Sequence, residues 1–249
     1  MQRMDSARVA PQDIGGTKPL TTHADPAETI FTDAGSPLAM VRERLRHVRW
    51  IGGGSGGGKT TTARRLADQG EVYLYDTDAT MPVHARRMPV EQAPYLRGFK
   101  AMNMNERWVD RDPRVMLDTF HWYQGEGFSE IIKDLLELPD DRPVIAEGFR
   151  LLPGLVRPLL TREDQAVWLL PTPEFRKSVF QHRGGLEWGF IAKTGDPEQA
   201  LENVLQRDAM FTDRIEDQIR HLGLHGLKVD FSVTKETLAQ QVSALFGLN

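Results

Sequence analysis

The run Gly53-Gly54-Ser55-Gly56-Gly57-Gly58-Lys59-Thr60 fits the pattern G-x-x-x-x-G-K-[ST] at every fixed position. Glycines let successive backbone N–H groups turn inward and form a nest for an anion, and a helix starting at the lysine adds its positive dipole end. In that pattern the lysine reaches the β- and γ-phosphates of a nucleotide and the hydroxyl after it meets Mg²⁺. Gly53, Gly54, Ser55, Gly56, Gly57, Gly58, Lys59, Thr60 and Thr61 are therefore the candidate nucleotide-binding residues. Two further places carry carboxylates after apolar runs. "YLYDTDAT" sets Asp76 and Asp78 at the end of an expected strand, and "PVIAEGFR" sets Glu147 at the end of another, with Arg150 close behind. On a strand, residues i and i+2 share a face, so Asp76 and Asp78 are expected to point the same way. A carboxylate at Glu147 stands where a Mg²⁺-bound water needs an acceptor.

These residues need a scaffold that brings strand ends together. Five short apolar runs supply it, at 48–52, 72–76, 144–148, 166–170 and 228–233. Most are continuous rather than alternating, as in strands covered on both faces. Helical stretches separate them: 60–69, 128–138 (closed by Pro139), 197–222, and a last one around Leu238, Val242, Leu245 and Phe246 with Thr234 as its cap. Ser36-Pro37 reads as an N-cap followed by proline at the first helical position. Alternating strands and helices predict an α/β fold with a parallel sheet.

Together "GGGSGGGKTT", "YDTDA" and "VIAEGFRLLP" resemble the small P-loop kinases of the adenylate kinase and shikimate kinase type. "DTD" is similar to the D-x-D of shikimate and gluconate kinases. "EGFR" is similar to the D-G-F-P-R segment of adenylate kinases, with Glu for Asp and without the proline. Over roughly residues 46–249 the resemblance implies a three-layer P-loop NTPase fold, a five-stranded sheet of order 2-3-1-4-5, an acceptor-binding insertion and an arginine-bearing lid. The shikimate kinase G-G-G segment after the third strand is missing.

The two long intervals fit that scheme. Residues 79–127 are read as the acceptor-binding insertion, rich in Arg, Met and aromatics, with Tyr95, Phe99, Trp108, Phe120, Trp122 and Tyr123 among them. Asp78, Arg150 and Trp108 are the acceptor candidates. Residues 174–222 are read as the lid, a charged stretch interrupted at Gly184-Gly185 and expected to be held weakly. Of its cations, Arg183 and Arg176 lead as catalytic residues, since a closing arginine stabilises charge on a transferring phosphoryl group. Residues 1–35, without an apolar period, are read as a mobile N-terminal arm before a single domain over 36–249.

The expected chemistry is transfer of the γ-phosphoryl of ATP to a small-molecule hydroxyl. Lys59 and a lid arginine would stabilise the group, Asp78 would take the hydroxyl proton, and Thr60, Asp76 and Glu147 would serve Mg²⁺. A nucleoside or nucleotide kinase is one alternative. A nucleotide-hydrolysing switch or a nucleotide-binding regulator is another, although no N-K-x-D guanine motif and no L-S-G-G-Q signature occur. The 249 residues are 40% hydrophobic and 27% charged, with net charge −4, which speaks against a general nucleic-acid binder. With no cysteine there is no thiolate chemistry, and no apolar run is long enough to span a bilayer. The opening residues lack the apolar core of a secretory signal, so the expectation is a cytoplasmic protein with a small-molecule partner.

Overall fold

The structure, a computed structural model, describes residues 36–248; the arm expected over 1–35 lies outside the described residues. Strands β1 (Val48–Gly53), β2 (Tyr73–Asp76), β3 (Val144–Glu147), β4 (Ala166–Pro171) and β5 (His225–Val229) form one sheet. All pairings are parallel and the order is β2-β3-β1-β4-β5. This is the order that the resemblance to small P-loop kinases implied. The central strands are buried residue after residue, as continuous apolar runs require.

Alternate residues of each central strand feed two different cores. Ile51, Ile145, Val167 and Leu169 face α2 (residues Lys59–Gln69) and the C-terminal helix Lys235–Phe246, meeting Ala63, Leu66, Leu238 and Val242. Trp50, Val144, Ala146, Ala166 and Trp168 face the other way, into a larger core. This is the three-layer arrangement. Trp50 and Trp168 are both 0% exposed, and a fully buried large apolar side chain stabilises a fold by roughly 1.5–3 kcal/mol.

The first helix, α1 (Pro37–Arg44), begins where Ser36-Pro37 predicted. Ser36 Oγ accepts from Ala39 N at 3.2 Å. Between β2 and β3 the chain forms α3 (Thr77–Arg87), α4 (Pro94–Ala101), α5 (Met104–Trp108) and α6 (Pro113–Thr119), and α7 (Phe128–Glu137) leads back to β3. After β3 come α8 (Pro153–Val156), α9 (Pro173–His182) beyond β4, then α10 (Pro197–Leu222) and α11 (Lys235–Phe246). Thr234 caps α11, its Oγ1 accepting from Thr237 N at 3.1 Å.

Two expectations need correction. The last strand spans 225–229 rather than 228–233. Gly223 closes α10 in the left-handed conformation, φ 65°, so the chain enters β5 at once. Asp230 then turns it out of the sheet by accepting from Ser232 N at 2.9 Å. Nor is 174–222 weakly held throughout. Helix α10 buries Ala200, Val204, Phe211, Ile215 and Ile219 on one stripe, packed against α5, α6, α8 and β4. Most of its charged residues occupy the remaining faces, which hid the stripe, while Arg207 and Asp208 are buried with it. The irregular part narrows to residues 183–196, mostly exposed but pinned by the buried Ile191.

Candidate functional site

Strand β1 ends in Gly53 at φ 114°, and a Cβ there would collide with the backbone of Leu169 on β4. Only glycine lets the chain leave the sheet so close to its neighbour. Gly54 N then donates to Leu169 O at 3.0 Å, and Gly57 N to Gly54 O at 3.2 Å. Gly58, at φ 82°, opens α2 without any side-chain cap. The first-turn N–H groups of α2 are thus left for an anion. Lys59 is 7% exposed and its Nζ donates to Gly54 O at 2.9 Å. Burial lowers its pKa, opposed first by Asp78 and then by Glu147. The ammonium sits inside the loop between backbone carbonyl and carboxylates.

Asp76 and Asp78 do not share a strand. Strand β2 ends at Asp76, whose Oδ1 accepts from Asp78 N at 2.9 Å and Ala79 N at 3.1 Å. Asp76 is the N-cap of α3 and Asp78 lies in its first turn. The helix begins without a linking residue because an aspartate at the strand end caps it directly. Burial raises the Asp78 pKa, Lys59 pulls it down, and Asp76 adds to the rise.

Glu147 pairs in register with Asp76 on one side and Ile51 on the other, at the carboxyl edge of the sheet beside the loop. It is 1% exposed and neither carboxylate oxygen has a hydrogen-bond partner. Burial raises its pKa to about 7, against the pull of the Thr60 hydroxyl and Lys59. A buried carboxylate left unsatisfied is costly. An orphaned acid beside the Thr60 hydroxyl fits a hydrated Mg²⁺. Among the described residues no group of three or more His, Cys, Asp or Glu could cage a metal.

The arginines sort differently from expectation. Arg176 is 1% exposed and braces the loop: its Nε donates to Ser55 O at 3.2 Å, and its Nη2 to Pro171 O at 3.3 Å and to Thr212 Oγ1. It is a fixed tie, not a group on a mobile lid. Arg183 caps the end of α9, is exposed, and places its guanidinium 6.0 Å from the Phe180 ring centroid. Its charge is felt at Lys59. Arg150 is 2% exposed and not on the cavity wall. It donates to Thr77 O at 2.9 Å and Gly127 O at 3.1 Å, and stacks over Trp122 at 4.2 Å. The expectation that it meets an acceptor gives way to a buried brace.

A cavity of about 590 Å³ joins these parts. Ser55, Lys59, Thr60, Thr61, Asp78 and Arg183 line it together with Trp108 and other aromatic rings. Trp108 stacks on Phe190 with centroids 4.3 Å apart. A second pocket, about 380 Å³, shares Gly56, Gly58, Thr61 and Arg183 with the first and is also lined by Phe175, Val179, Val233, Thr234 and Leu238.

Asp208, not singled out from the sequence, also lines the cavity. It is 1% exposed on α10, accepts from Tyr123 O–H at 2.8 Å, and accepts from Arg207 Nε at 2.9 Å and Nη2 at 2.7 Å. Two successive charged residues inside the Val204-to-Phe211 stripe were the legible sign.

No protein-family model and no curated protein sequence matches the chain. Among solved structures it is similar to a shikimate kinase from Acinetobacter baumannii in complex with shikimate. The two are 17% identical, with a TM-score of 0.39, and the match covers 82% of this chain and 96% of that one. No described helix is long and apolar enough to cross a membrane.

Proposed function

We propose that the chain is an ATP-dependent phosphotransferase that moves the γ-phosphoryl group of ATP to a hydroxyl of a small-molecule acceptor. One observation carries this reading. The phosphate loop, Asp78 and the aromatic rings line one half-open cavity, with Asp78 beside Lys59. A switch or regulator has no need of an aromatic chamber beyond its γ-phosphate.

Residues 53–61 bind the phosphates through backbone N–H groups and the α2 N-terminus. The second pocket, apolar and sharing the loop, suits the nucleoside. Thr60, Glu147 and Asp76 would hold Mg²⁺, which neutralises phosphate charge when bound. In the transfer step the acceptor oxygen forms a bond to the γ-phosphorus. The bond from that phosphorus to the β,γ-bridging oxygen breaks, ADP leaves with that electron pair, and the hydroxyl proton passes to Asp78. Burial makes Asp78 a better proton acceptor than an exposed aspartate. Lys59 and Arg183 stabilise charge on the moving group, so catalysis is positioning and electrostatics. A nucleoside acceptor is a second reading, favoured by rings able to stack a base.

The experiment is ADP release with ATP and Mg²⁺ across pooled hydroxyl-bearing compounds, with Lys59→Ala in parallel. Stimulation by one pool, lost in the variant, is expected. ADP release undiminished in Lys59→Ala would sink the reading.

A further inference from the structure

Asp208 offers the cavity a bond that the protein itself does not use. The inference drawn from it rests on the kinase reading and concerns what, besides Asp78, meets the acceptor. Asp208 comes from α10, is 1% exposed and lines the cavity of about 590 Å³. All of its hydrogen bonds fall on one oxygen. Oδ1 accepts from Tyr123 O–H at 2.8 Å and from Arg207 Nε and Nη2 at 2.9 and 2.7 Å. Oδ2 takes none, yet unlike the two Glu147 oxygens it is not sealed from solvent. An ionised carboxylate can take roughly four donors over its two oxygens, so the unused capacity lies on Oδ2, on the cavity wall.

The donors on Oδ1 hold the group still. Tyr123 stacks on Phe211 with centroids 3.7 Å apart, and burial pushes its hydroxyl pKa up, so it stays protonated and donates. Arg207 is 5% exposed, and its guanidinium lies among the Trp108, Phe120 and Tyr123 rings at 5.3, 4.8 and 5.2 Å. A lone buried carboxylate would be costly, and the paired guanidinium offsets that cost. The result is a rigid, ionised acceptor with one open oxygen, and hydrogen bonds to ionised oxygens are the strong ones. The charges of Asp78 and Asp208 are both felt at Lys59, which places both carboxylates near the phosphate loop.

The surroundings select the donor. Lys59, Lys100, Arg107, Arg183 and Arg207 line the same cavity beside only two carboxylates. An ammonium group would join like charges there, and the charge of Asp208 is already met by Arg207. A hydroxyl donates without adding charge.

We propose that Asp208 is a specificity residue whose Oδ2 accepts a hydrogen bond from a second hydroxyl of the acceptor, while the hydroxyl to be phosphorylated reaches Asp78. The acceptor is therefore a diol or polyol. Asp208 takes no part in making or breaking bonds. The transfer is the one already written, and its product is a phosphate monoester that keeps the second hydroxyl free.

The test uses the full chain and three matched probes. 1-Phenyl-1,2-ethanediol carries both hydroxyls, 2-phenylethanol lacks the second, and 2-amino-2-phenylethanol has an ammonium in its place. Binding is read from the fluorescence of Trp108, Trp122 and Trp188, which line the cavity. Nucleotide binding is measured separately with the fluorescent ATP analogue mant-ATP and Mg²⁺. A site built to hydrogen-bond a hydroxyl rejects the analogue without it, so the diol should bind at least tenfold tighter than 2-phenylethanol. Asp208→Asn keeps an oxygen for Tyr123 and Arg207 but replaces the ionised Oδ2 with a neutral amide. It should cut the advantage of the diol to about threefold or less, with mant-ATP binding within about twofold of wild type. Tyr123→Phe removes a donor from Oδ1 and leaves Oδ2, so the advantage should persist. Equal binding of diol and 2-phenylethanol in wild type, no saturable binding of the diol, or an undiminished advantage in Asp208→Asn overturns the inference and leaves the kinase reading intact. Loss of the advantage in Tyr123→Phe as well would make the effect one of packing and overturns it too. Tighter binding of the amino alcohol than of the diol overturns it in favour of a cationic acceptor. Absence of mant-ATP binding in wild type instead removes the kinase reading itself.

Discussion

Arg150 Nη2 donates to His84 Nδ1 across 3.0 Å in a site where the two residues are 2% and 0% exposed. A guanidinium only donates, so Nδ1 is the acceptor and the ring proton lies on Nε2, which donates to Asp134 Oδ2 at 2.8 Å. Tyr75 O–H joins the same oxygen at 2.8 Å, and Arg87 Nη1 reaches Asp134 Oδ1 at 2.8 Å. The free end of this chain is Arg150 Nη1 on Thr77 O, the carbonyl immediately before Asp78. The network fixes the first turn of α3 against β3 and α7.

Arg150→Met is therefore expected to cost stability and transfer together. It strips partners from His84 Nδ1, Thr77 O and Gly127 O at once, a loss of about 3 kcal/mol by urea unfolding. At a temperature where the variant is folded, kcat should fall while the Kd for ATP stays within about twofold. A variant with normal kcat would mean that Asp78 is held without Arg150.

Asp78→Asn removes the proton acceptor but keeps the shape. Loss of a positioned general base costs about 10²–10⁴ in rate, so kcat should drop by that order with mant-ATP binding unchanged. Collapse of nucleotide binding with normal transfer per bound ATP would make Asp78 a metal residue instead.

Glu147→Gln should move stability and function in opposite directions. The neutral amide removes an orphaned, 1% exposed carboxylate. Unfolding free energy of the ligand-free chain at pH 8 should rise by about 1–3 kcal/mol. The added melting temperature conferred by MgATP should shrink. A variant less stable than wild type and equally Mg²⁺-dependent would contradict the assignment.

His121 gives the protein a sensitivity to acid. Burial, then the charges of Arg150, Lys100, Arg107 and Arg207, lower its pKa from 6.5 to about 3. The folded state thus binds fewer protons than the unfolded state between those values. Stability is full above pH 6.5 and falls as pH drops, by up to about 1.4 kcal/mol per unit from this residue. His121→Phe, within the existing ring cluster, should flatten the loss between pH 6.5 and 4.5 in urea melts. An unchanged slope would assign the acid sensitivity elsewhere.

Arg183→Ala tests the segment after α9. Arginines that close on a transferring phosphoryl group are worth about 10³–10⁵ in rate, and kcat should fall toward the low end of that range. Hydrogen exchange should show residues 183–196 gaining protection with nucleotide and acceptor, while the buried stripe of α10 is protected throughout. Equal protection of 183–196 in both states would make it a fixed wall.

The donor half of the site was legible because it is local. Eight consecutive residues specify the phosphate loop, and the strand order follows from periodicity together with the resemblance it supports. Glu147 was legible as a carboxylate after an apolar run, but its lack of partners was not, since that depends on register with β1 and β2. Asp78 was expected on a strand because pleat alternation was applied past Asp76, where the cap starts a helix. Arg176 and Arg150 were misread because sequence shows a charge but not the carbonyls 121 and 73 positions away that absorb it. The Arg207–Asp208 pair was harder still, as its partner Tyr123 lies 85 positions distant.

Strand β2 runs into α3 with no residue between them, and this divides the molecule by how it can change. Asp78 is carried by the sheet, as are the phosphate loop and Glu147. The rings of the cavity hang from α4 to α6, the turn after them, α9 and the segment beyond it. On the proposed kinase reading, substitutions among those rings can remould the chamber without shifting the point of attack. On that reading the architecture behaves as a fixed tool with an exchangeable jaw, and lineages of such a chain can diverge in what they phosphorylate while inheriting how.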